Sequence, residues 1–172
     1  MILKRKRSYL PEFVYGSMDG LVTTFAIVTG AAGAGFPAGV ILIMGFANVF
    51  ADGFSMGSSS YLAALSEDPE HRTVHQKGPF QQGFVTFLSF LAIGIIPLLP
   101  FILAYFLPEV SSYALQTSII ITMVGFAGVG YISGIVIGGS KLKSAARTVF
   151  IGTIAALISF LVGYVLADTF GV

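Results

Sequence analysis

The sequence has no cysteine, no tryptophan and only two histidines, and 10% of its 172 residues are charged. Without cysteine there is no disulfide scaffold, no thiolate-bound zinc and no iron–sulfur cluster. Both histidines, His71 and His75, fall in one short segment. HExxH and phosphate-loop patterns are absent, so the chain reads as a non-enzyme with no resident cofactor. The missing tryptophan leaves interfacial anchoring to Tyr, Lys and Arg. A net charge of +1 gives no field for nucleic acid. Soluble domains carry about 25% charged residues, and 10% cannot solvate a globule of this size. A soluble enzyme and a disordered chain are both excluded on that ground. Repeated ten-residue segments of period-two alternation are lacking too, which removes a membrane barrel.

What is present is apolar: 55% hydrophobic residues and a mean hydropathy of +0.89. Stretches 20–51, 78–108, 110–140 and 148–167 contain no charge, and a span needs about 20 such residues. The first stretch is interrupted by AAGAGFPAG (31–39), a turn signal. The reading is an all-α integral membrane protein, one membrane domain over 1–172. Its five transmembrane helices are expected near 13–34, 39–65, 82–107, 113–138 and 148–167. All nine basic residues precede helix one or lie in the 66–79 and 141–147 segments. The positive-inside rule then puts the N-terminus in the cytoplasm and the C-terminus outside or in a lumen. The basic residues at 4–7 read as a topology signal rather than a cleaved leader, with anionic lipid as a secondary contact. Glycine is plentiful, at 21 residues. Gly16/Gly20, Gly53/Gly57, Gly130/Gly134 and Gly134/Gly138 are GxxxG pairs suited to close helix contact. Pro97 and Pro100 predict a kink or break in helix three.

Carboxylates at membrane depth are expensive and mark function. Asp19 in helix one and Asp52 in helix two are of this kind. Asn48, Asp52 and Met56 are spaced i, i+4, i+8 and share one helix face, offering an amide, a carboxylate and a thioether. Asp19 and Thr23 make a second polar stripe. Facing each other, the stripes form a divalent-cation site; carboxylates suit hard cations and a thioether favours softer first-row metals. Two close acids in low dielectric cannot both ionise cheaply. One proton is then held when no cation is present, a physical route to metal/proton exchange. In the 66–79 loop, Glu67, Glu70 and His71 are a secondary candidate for metal capture against the plainer reading of a solvated loop.

At these residues the chain resembles the vacuolar iron transporter family. The resemblance rests on YGSMDGLVTTFAIVTGAAGAG (15–35), VILIMGFANVFADGFSMGSSSYLAALSE (40–67), IPLLPFILAYF (96–106) and GYISGIVIGGSKLKSAARTVFIGTIAA (130–156). It implies five helices and export of ferrous iron, with manganese as a second substrate, from the cytosol by proton antiport. It also implies a homodimer whose ion path lies on the two-fold axis between the first and second helices. The family's metal- and proton-handling Asp matches Asp19, and its metal-binding Met matches Met56. A Glu of the plant branch falls at Asn48 here, and Asp52, one turn later, is the expected substitute. Plant-type members insert a Glu- and Met-rich cytoplasmic domain where this chain has only the 66–79 loop. The resemblance is therefore to a shorter branch, with dimerisation resting on membrane helices. A passive divalent-cation channel and a non-transporting membrane scaffold are the competing readings. A prokaryotic cell membrane is the expected location, or a vacuolar membrane in a eukaryote.

Overall fold

A computed structural model of the chain describes residues 9–67 and 78–171. Glu70, His71, His75 and the basic residues at 4–7, 72 and 77 lie outside the described residues. Among the described residues the fold is entirely helical. Its helices are α1 (Leu10–Gly33), α2 (Ala38–Leu65), α3 (Pro79–Gly94), α4 (Leu99–Phe106), α5 (Ala114–Ile137) and α6 (Lys141–Phe170).

Local chemistry explains the boundaries. Proline opens α1, α3 and α4, where its missing N–H is no loss. The chain leaves α1 through Gly35 at φ +73°. There the Phe36 amide donates to the Ala31 carbonyl at 2.9 Å and the Gly35 amide to Ala32 at 3.0 Å. This is a Schellman closure, whose left-handed position favours glycine. Gly138 ends α5 in the same way, with the Gly139 amide on the Gly134 carbonyl at 3.1 Å. Helix α6 opens on Ser140, whose hydroxyl accepts from the Lys143 amide.

The expected third helix is two pieces. Helix α3 stops at Gly94, a single 3₁₀ turn covers Ile96–Leu98, and α4 continues from Leu99. Pro97 and Pro100 cannot supply the amides that a continuous helix needs there. The exposed acceptor at Pro97 is satisfied from outside, by the Ser118 hydroxyl of α5 at 2.6 Å. The break predicted from the prolines is thus present and cross-braced.

Helix α1 occupies the middle of the bundle, packed against α2, α3, α5 and α6. Leu21, Phe25, Val28, Ser17 and Thr24 on it are completely buried. Phe25 meets Phe126 of α5 edge-on, with ring centroids 6.1 Å apart. The other core centre gathers Val28, Ile41, Leu98 and Phe101. Glycines permit the close approaches. A Cβ on Gly20 would sit 2.6 Å from the Phe90 carbonyl oxygen of α3, and one on Gly16 would strike that of Thr86. Gly53 and Gly57 of α2 meet Leu91 and Phe87 of α3, and Gly130 and Gly134 of α5 meet Ala145 and Lys141 of α6.

Among the described residues, four helical segments are long and apolar enough to cross a membrane: Ala38–Leu65, Pro79–Phe106, Pro108–Ile137 and Lys141–Phe170. Helix α1 falls outside this set, although its 24 residues reach about 36 Å. Its Glu12, Asp19, serine, threonines and glycines lower its hydropathy. A helix enclosed by other helices is solvated by protein and need not be apolar throughout. The outer helices show the opposite: α6 exposes Phe150, Leu157, Ile158, Leu161, Tyr164 and Val165. Apolar exposure on this scale fits lipid and not water.

Candidate functional site

The two acid-bearing helices meet side by side. Thr23 donates its hydroxyl to the Asp19 carbonyl one turn earlier, at 2.8 Å. Serine and threonine in apolar helices commonly satisfy themselves in this way. The same Thr23 oxygen accepts from the Asn48 side-chain amide of α2 at 3.5 Å. This long contact marks the register of α1 against α2. It places the Asp19–Thr23 stripe opposite the Asn48–Asp52 stripe. Because α1 and α2 run in opposite directions, Asp19 and Asp52 each lie one turn from that bond toward the same end of the helix pair. Asp19, Thr23, Asn48 and Asp52 are all half-buried. Asp19 lies deeper than a single turn, nine residues into α1, and Asp52 lies mid-helix in α2.

The remaining candidates are placed as follows. Met56 is half-buried on α2, about 6 Å further along the axis from Asp52. Glu67 is exposed, just beyond the end of α2, and about 20 Å along the axis from Asp52. It does not join the four-residue cluster, and Glu70 and His71 lie outside the described residues. Among the described residues no group of three or more His, Asp or Glu side chains converges. One copy of the chain thus carries two carboxylates, an amide and a hydroxyl on adjoining turns of α1 and α2, oxygen donors of the kind that suit a divalent first-row cation.

Two features were not read from the sequence. Beside Asn48 and Asp52 on α2 runs an exposed line of small residues, Ala47, Ala51, Ser55 and Ser59. One turn beyond Thr23, a cavity of about 460 Å³ opens between α1, the start of α2 and the end of α6. Ala26 and Gly30 of α1, Met44 of α2 and Ser159 and Gly163 of α6 line it. The signal for Met44 was available, since it precedes Asn48 by the same four residues that separate Asn48 from Asp52.

Comparison with known proteins places the chain beside one family. A sequence profile of the VIT family matches residues 10–77 and 68–164. Vacuolar iron transporter 1 of Oryza sativa subsp. japonica is 26% identical over 210 residues, covering 87% of this chain and 82% of the relative. Vacuolar iron transporter 1 of Arabidopsis thaliana gives the same identity and coverage. Vacuolar iron transporter of Toxoplasma gondii is 24% identical over 224 residues, covering 92% of this chain and 74% of the relative. These alignments are longer than the 172-residue chain, so the relatives carry residues that it lacks. The profile match divides within the segment between α2 and α3.

Proposed function

The chain belongs to the VIT family, and on that premise we propose that it carries divalent transition-metal ions, Fe²⁺ first and Mn²⁺ second, out of the cytosol in exchange for protons. The observation that carries this reading is the Asn48–Thr23 bond between α1 and α2. It supports a reading in which Asp19 and Asp52 lie on adjoining turns of the α1–α2 pair, and carboxylates in apolar helices are expensive and usually functional. Two acids neutralise one divalent cation. When the cation leaves, their repulsion in low dielectric recruits a proton, so metal and proton compete for one place. Met56 supplies a thioether on the adjoining turn and Asn48 supplies an amide where the plant branch has an acid.

Two carboxylates do not complete a coordination shell. A second copy of the chain, facing the open side of α1 and α2, would double the donor set. The small side chains at Ala47, Ala51 and Ser55 suit such an approach, because membrane helices associate through small residues. The reading is thus a homodimer with the pathway at its axis, and with the basic loops on the cytoplasmic side.

The test is metal entry into proteoliposomes carrying a trapped pH dye, with Fe²⁺ and Mn²⁺ offered separately. Metal entry should drive proton movement in the opposite direction. Asp19→Asn and Asp52→Asn keep the side-chain shape and remove the charge. Each is expected to lower uptake by about tenfold or more, the equivalent of roughly 1.4 kcal/mol. Metal flux with no proton signal would instead make the protein a passive channel. Wild-type flux in both Asp variants would remove the site.

A further inference from the structure

Met44 lies on the same α2 ridge as the proposed site. Met44, Asn48, Asp52 and Met56 follow one another at four-residue intervals, the spacing of neighbours along a helix surface. The Asn48–Thr23 bond turns this ridge toward α1. On α1 the next turns after Thr23 are Ala26 and Gly30, and both line the 460 Å³ cavity together with Met44. The cavity therefore lies one turn further along the same α1–α2 pair than the Asn48–Thr23 bond, on the side away from Asp19 and Asp52, toward the end of the molecule where Gly35 joins α1 to α2. Its walls are almost entirely apolar. Ser159 is the polar side chain among them, and its hydroxyl donates to the Ala26 carbonyl. The Met44 sulfur is the one soft donor atom in the lining, and Met44 is 41% exposed, so the thioether is reachable.

We propose that Met44 is a second thioether contact for the permeating cation, in the cavity one turn beyond Asn48, and that it favours softer first-row ions over harder ones. The inference rests on the transport reading above. A cation released by the oxygen donors enters a space that offers little to replace its water. A hard ion gains nothing there, whereas a softer ion gains one thioether bond. Because the sulfur is neutral, the contact is weak. Conduction requires binding weak enough to release the ion.

The experiment compares Fe²⁺ and Mn²⁺ uptake by the full-length chain in proteoliposomes, for wild type, Met44→Leu and Met44→Gln. Leucine keeps the volume and removes the sulfur, and glutamine replaces it with a hard oxygen. Both variants are expected to lower the Fe²⁺ to Mn²⁺ rate ratio by about threefold or more, with Mn²⁺ uptake retained. A ratio unchanged from wild type in Met44→Leu overturns the proposal while leaving the transport reading in place. A wild-type chain that moves neither metal overturns both. The two failures are thus distinguishable in one experiment.

Discussion

Hydroxyl groups buried in this bundle have two different fates, and single substitutions separate them. The Ser118 hydroxyl donates to the Pro97 carbonyl, an acceptor freed by the helix break. Thr122 lies one turn further along α5, is equally buried, and has no partner among the described residues for its hydroxyl. Removing one partner of a buried hydrogen bond leaves the other stranded, at about 1–3 kcal/mol. Removing a polar atom that has no partner relieves a desolvation penalty instead. Ser118→Ala should therefore lower the unfolding midpoint in detergent, while the near-isosteric Thr122→Val should leave it unchanged or raise it. Equal losses in both would mean that the two hydroxyls are equivalent and that the Pro97 carbonyl is not held by Ser118. At the same scale, Asp19, Asp52 and Met56 were legible in the sequence because ionisable or soft atoms are rare in apolar helices. That Asn48 bonds Thr23 was not legible. Spacing within a helix fixes a face, whereas a contact between helices depends on their register.

Among the helices, glycines decide which surfaces touch. Gly20 lies against the Phe90 backbone of α3, whereas a Cβ on Gly128 of α5 would meet nothing within 4 Å. Both sit inside helices, where replacing glycine by alanine gains roughly 0.5–1 kcal/mol if space permits. Gly128→Ala should show that gain. Gly20→Ala must push α1 from α3 against a backbone carbonyl that cannot swing aside, and overpacking of this kind costs about 1–3 kcal/mol. Opposite shifts in thermal stability are the expected outcome. A gain in both would mean that α1 and α3 do not pack through Gly20. Because Asp19 adjoins Gly20, transport should fall in Gly20→Ala and persist in Gly128→Ala. Of the GxxxG pairs read from the sequence, three supply glycines to helix contacts, while Gly138 serves as a helix stop. Helix limits were legible to within a few residues, apart from the start of α6. The expected start at 148 was set by the charge-free stretch, but the helix begins at Lys141. Charge marks the part immersed in hydrocarbon, and a helix of 30 residues, about 45 Å long, continues past a core about 30 Å thick.

Over the whole molecule, the distribution of exposed residues separates two kinds of surface. Helix α6 presents large side chains such as Phe150, Leu157 and Ile158, which suit acyl chains. Helix α2 presents Phe50 and Phe54 on one flank and Ala47, Ala51 and Ser55 on the flank beside Asp52. A row of small residues next to half-buried acids is a poor lipid-facing surface. It leaves the carboxylates near hydrocarbon and forfeits packing, and a second copy would remedy both. The absence of native cysteine makes the point directly measurable. Ala51→Cys should form a disulfide between copies under mild oxidation in the membrane. Phe150→Cys, on the α6 surface, should not. Disulfide geometry requires Cα atoms within about 7 Å of each other, so a cross-link at position 51 places two α2 helices in contact beside Asp52. The donor sets of two chains would then share one axis, and divalent metal should alter the cross-linking rate in wild-type Asp52 but not in the Asp52→Asn background. Cross-linking at 150 and not at 51 would put the interface on α6, and each copy would have to bind its cation alone.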